Sequence, residues 1–62
     1  MSLVDDKGHL TWDGFQAVKN AMTGAEWDAV RHKATWEAMT PWAVLNEWPS
    51  LRGSGAKALN GA

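Results

Sequence analysis

The sequence predicts an all-α fold: a small three-helix domain with an extended N-terminal arm and a flexible C-terminal tail. Three observations predict it. Threonine opens three separate segments, at Thr11, Thr23 and Thr40, each with an apolar residue before it and another four residues after it. Apolar residues inside those segments recur at spacings of three and four, the period of a helix with a buried stripe. Between and beyond them lie the turn residues Asp5-Asp6-Lys7-Gly8 and the stop residues Pro49 and Gly53. The resulting division is an arm over 1–10, a three-helix domain over 11–52 and a tail over 53–62.

The first helix is expected from Trp12 to Met22. Phe15, Val18 and Met22 make its stripe, with Ala21 at the edge and Asp13, Gln16 and Asn20 toward solvent. Trp12 falls beside that stripe, and Gly14 weakens the first turn by up to about 1 kcal/mol relative to alanine. The central helix, Gly24–Met39, is the longest uninterrupted candidate. Thr23-Gly24-Ala25-Glu26 fits a capping box, in which hydroxyl and carboxylate each accept from the other residue's amide. At about 100° per residue, Trp27, Val30, Ala34 and Ala38 share one sector. Ala25, Ala29, Trp36 and Met39, with His32 among them, take the opposite one. A helix with two apolar faces is expected to be covered on both sides.

The third helix is expected over Pro41–Trp48, with proline at its first position, where a missing N–H is harmless. Val44, Leu45 and Trp48 form its stripe, and Trp42 points away from it. Pro49 disfavours helical geometry at Trp48 and ends the run. Gly53–Ala62, GSGAKALNGA, has the composition of a flexible tail.

Composition bounds the function. Sixty-two residues allow one domain, and a chain of that size buries only about 60% of its unfolded surface. Without cysteine there is no disulfide and no thiolate metal site. A net charge of −1 with both signs interspersed argues against nucleic-acid capture, which relies on clustered basic residues. No signal peptide or membrane-length apolar run is apparent, so the expected location is the cytoplasm or the interior of a larger assembly.

No constellation points strongly to chemistry. His32 has Asp28 one turn before it, half of a general-base arrangement, but the plain reading is a pair at the rim of a packed face. His9 with Asp5 and Asp6 lacks the closed ligand set of structural zinc and reads as a solvated loop. Glu26 and Glu37 lie roughly 16 Å apart along one helix, beyond the about 5–9.5 Å of a glycosidase pair. Gly53-Ser54-Gly55-Ala56-Lys57 lacks the residues that complete a phosphate loop. An acidic first turn at Glu26 and Asp28 makes the central helix a poor DNA-recognition element.

Five tryptophans remain, with Phe15 the only other aromatic. Trp27 and Trp48 belong to predicted core stripes. Trp12, Trp36, Met39 and Trp42 are the candidate partner-binding residues, since tryptophan is enriched among interface hot spots. The expected function is a non-enzymatic assembly component, a structural, cement-like or accessory subunit that binds a larger protein or its own copies. A virion component and an accessory subunit both fit. The competing expectation is a small regulator that binds nucleic acid or blocks another protein. No catalytic residue, cofactor, metal, membrane contact or small-molecule substrate is expected.

Overall fold

The computed structural model describes residues 2–60 and has the all-α character expected. Helix α1 spans Trp12–Ala21, α2 Gly24–Glu37 and α3 Pro41–Glu47; a 3₁₀ segment covers Pro49–Ala56 and leads into a last turn, α4, at Lys57–Asn60. The described residues form no strand, only an isolated antiparallel bridge between Val4 and Leu10. None of these helices is long and apolar enough to cross a membrane.

All three threonine caps form. Thr11 Oγ1 accepts from the Gly14 amide, Thr23 Oγ1 from Glu26 and Thr40 Oγ1 from Ala43, each at 3.1 Å. At Thr23 the box closes fully, because Glu26 Oε1 accepts from the Thr23 amide at 2.9 Å. A side-chain acceptor satisfies one of the free amides at a helix start, worth about 1 kcal/mol.

Helix α2 stops before Met39. Ala38 takes a left-handed conformation (φ 54°, ψ 43°) and the Met39 amide turns back to the Ala34 carbonyl at 2.9 Å. Two demands favour this stop: Pro41 biases Thr40 toward extended backbone, and Met39 packs against the core. Helix α3 ends at Glu47, where Arg52 Nε donates to the Leu45 carbonyl at 3.0 Å. A guanidinium there satisfies an orphan carbonyl and favours the negative end of the helix.

Leu10, Phe15, Val18, Val30, Ala34, Val44 and Leu45 form the buried core, with Met22, Trp27, Met39, Trp42, Trp48, Leu51 and Leu59 packed around it. The inner stripe of each helix therefore contributes, except that Ala38, expected in the buried sector of α2, is its exposed C-cap because the chain turns there. Within its own chain α2 is covered on one side, not on both. Val30 and Ala34 are buried, whereas Ala25, Ala29, His32 and Trp36 are exposed. The reason is the placement of α3 and the 3₁₀ segment, which pack on α2 and leave that outward stripe bare.

The C-terminal segment that composition reads as a tail continues in helical turns through Asn60; residues 61 and 62 lie outside the described residues. Both the 3₁₀ segment and α4 pack against α1. Gly55 is the contact that makes this possible. A β-carbon there would lie 2.5 Å from the Val18 carbonyl oxygen and 2.8 Å from Met22 Cγ. Backbone conformation reverses at Gly53 (φ 52°, ψ −127°), which delivers the Ser54 amide and hydroxyl to Glu26 Oε2 at 3.0 and 3.3 Å. A carboxylate that caps α2 thus also fastens the C-terminal segment.

Residues 2–10 lie outside the helices, as their turn chemistry predicts, and curl back on the domain. Asp5 Oδ1 accepts from the Lys7 and His9 amides, both at 2.9 Å. The Leu3 carbonyl accepts from Thr11 at 3.1 Å and lies over Gly14, where any β-carbon would collide with it. Leu10 is held by α3 through both backbone groups: its amide donates to Asn46 Oδ1 and its carbonyl accepts from Trp42 Nε1, both at 2.9 Å.

Candidate interaction surface

The five tryptophans divide into two groups. Trp12, Trp27 and Trp42 gather around Phe15. Trp12 sits 5.6 Å from Phe15 and 5.4 Å from Trp42, Trp42 stacks on Phe15 at 5.8 Å and 19°, and Trp27 meets its other side at 6.1 Å. Offset and tilted pairs at these separations are attractive beyond the area they bury. Trp27 is half-buried and carries the Lys19 ammonium 5.1 Å from its ring centre; Trp48 is half-buried and carries Lys33 at 4.4 Å. The lysine stems shield those indoles while their charges remain in water.

Trp36 stands apart. Its side is opposite the Val30–Ala34 face, it is 77% exposed, and among the described residues no aromatic ring pairs with it. Its Nε1 donates to His32 Nε2 at 3.1 Å. That bond holds the indole back along the helix over the preceding turn. Such a posture follows the normal lean of helical side chains toward the N-terminus.

His32 forms a ridge between two shallow grooves. One is bordered by Asp28, Arg31, Thr35, Met39 and Pro41, the other by Ala29, Lys33, Trp36, Trp48 and Leu51. Asp28 faces Arg31 at 3.8 Å. His32 Nε2 is occupied as an acceptor for Trp36, and the Thr35 hydroxyl donates to the Arg31 carbonyl at 3.1 Å. Lys33 reaches Glu37 at 3.2 Å, an exposed pair of the weak i,i+4 kind. Among the described residues no group of three or more His, Asp or Glu side chains is placed to hold a metal. In the Asp5–His9 loop, the His9 amide is the main cause that holds the Asp5 carboxyl below its ordinary range.

The four candidate residues are therefore placed unequally. Trp36 and Trp12 are exposed, the latter at 56%. Trp42 does point off the Val44–Leu45 stripe, but it spends that direction on Phe15 and the Leu10 carbonyl and is half-buried beneath Trp12. Met39 is half-buried at the border of the groove beside His32. Trp12 and Trp42 come together; Trp36 belongs to the other cluster of surface features. Sequence reasoning did not foresee the Trp36–His32 bond, although their i,i+4 spacing on one helix face permits it.

Fold and surface together define a small all-α domain with a bare, tryptophan-bearing helix face. Comparison with protein-family models, with curated proteins and with solved structures gives no match for the chain.

Proposed function

We propose that this chain is a non-enzymatic assembly component, a small structural or accessory subunit that docks through the outward face of α2. Trp36 is the principal contact on this reading. Ala29 and His32 lie beside it, Met39 borders the face, and Trp12 above Trp42 provides a second contact. The observation that carries the reading is Trp36 itself: a large apolar side chain, 77% exposed, hydrogen-bonded to His32 and outside the buried core. Ordering an exposed indole before contact lowers the entropy lost on binding. Surface tryptophans of this kind are where interface energy concentrates.

Sedimentation of the tagged chain in extracts of cells that make it tests the proposal. The chain should travel as a complex well above the mass of the free polypeptide. Trp36→Ala should release it while the circular-dichroism unfolding curve stays in place. A wild-type chain that sediments as a free monomer, or a Trp36→Ala chain that assembles normally, would overturn the assignment.

A further inference from the structure

The bare face of α2 has the pattern of one half of a helix pair, and we infer that its partner is a second copy of the same helix, packed antiparallel. This deepens the assembly reading above and rests on it. Ala25, Ala29, His32 and Trp36 follow one another at intervals of four, three and four residues, the seam spacing of paired helices. All four are exposed. Size varies along the seam in one direction: two alanines toward the N-terminus, then an imidazole, then an indole.

That gradient selects the orientation. A parallel pair would set the two indoles against each other and leave alanine facing alanine across a gap. An antiparallel pair with its two-fold axis between Val30 and Arg31 places Trp36 of each copy opposite Ala25 of the other, and His32 opposite Ala29. Because the Trp36 ring is drawn back toward His32, it leans toward the axis and covers the alanines of the second copy.

One flank adds a charge complement in this orientation. An antiparallel two-fold brings like flanks of the two helices together. On one flank stand Asp28 and Arg31, and in this register each Asp28 lies about 3 Å along the axis from Arg31 of the second copy. On the other flank the charges are already satisfied within each chain, Glu26 by Thr23 and Ser54 and Lys33 by Glu37.

Single cysteines test the geometry cleanly, because the chain has none of its own. Two residues at position 29 lie about 4.5 Å apart along the axis, and close packing puts their α-carbons within about 7 Å, inside disulfide range. Two residues at position 25 lie about 16 Å apart. Under mild oxidation the full chain carrying Ala29→Cys should therefore cross-link at least about tenfold faster than the chain carrying Ala25→Cys.

Sedimentation equilibrium up to about 1 mM, suited to a patch at the weak end of interface sizes, should show a monomer–dimer equilibrium. Asp28→Arg should weaken it about fivefold, and the double variant Asp28→Arg with Arg31→Asp should restore it. Equal cross-linking at 25 and 29, or no rescue by the double swap, overturns the antiparallel pair. A chain that stays monomeric throughout, yet sediments as a complex in extracts, overturns the second copy as partner and leaves the assembly reading standing.

Discussion

The two faces of α2 differ less in composition than in what lies against them. On the inner face Val30 and Ala34 are buried, and Trp27 is half-buried against Phe15 with Lys19 above it. On the outer face Ala25, Ala29 and Trp36 are equally apolar and remain in water, with one hydrogen bond from Trp36 to His32. Apolarity on a helix thus states a demand for cover without saying who supplies it. Here the chain covers one face itself. The other it leaves exposed.

If the inner face carries stability, damage to its cover has the largest effect. Leu45→Ala empties a fully buried site and should cost about 2–5 kcal/mol. A domain of this length has roughly 3–9 kcal/mol in total, so denaturant titration should find the variant largely unfolded or close to it.

Gly55→Ala tests the C-terminal part of the same cover. Its new methyl would press on the Val18 carbonyl, which belongs to helix backbone and yields little. We expect a loss of about 1–3 kcal/mol, with hydrogen exchange rising first in residues 54–60.

A change at the end of α2 should move stability the other way. Ala38 holds a left-handed conformation that glycine adopts without the steric penalty, so Ala38→Gly should raise stability by about 0.5–1 kcal/mol in thermal unfolding. Self-association should be unaffected, which separates the helix end from its outer face.

The smallest effect is electrostatic. Hydrogen bonds from the Thr23 amide and then from Ser54 hold the Glu26 carboxyl below its ordinary range. A depressed carboxylate contributes stability that is complete above about pH 4.3, the unfolded value, and is lost as pH falls through the folded one. Wild type should therefore lose stability on acidification through that window more steeply than Glu26→Gln, as read from denaturation midpoints at each pH.

What the sequence made legible is local. The three caps depend on residues three apart, and the stripes Phe15–Val18, Val30–Ala34 and Val44–Leu45 depend on helical period, so both are visible without tertiary knowledge. The C-terminal segment was hidden for the opposite reason. Its glycines and alanines look like flexible chain, and only the close approach of Gly55 to Val18 and the bond from Ser54 to Glu26, 28 residues away, show that small residues are required there. Leu10 gripped by Trp42 and Asn46 is likewise long-range, which is why Trp42 read as more available than it is. Trp36 was recognisable as a surface candidate from its angle on the helix. That its own chain would leave it bare depended on where α3 and the 3₁₀ segment came to rest.

The central claim is that Trp36 serves association and contributes little to folding. Its most direct test is a paired measurement on Trp36→Ala and Trp27→Ala: denaturant unfolding and sedimentation of the same samples. The account predicts that Trp36→Ala unfolds within about 0.5 kcal/mol of wild type and loses association, while Trp27→Ala loses several kcal/mol, on the order of 3. A Trp36→Ala chain destabilised as severely as Trp27→Ala, or one that associates like wild type, would contradict it.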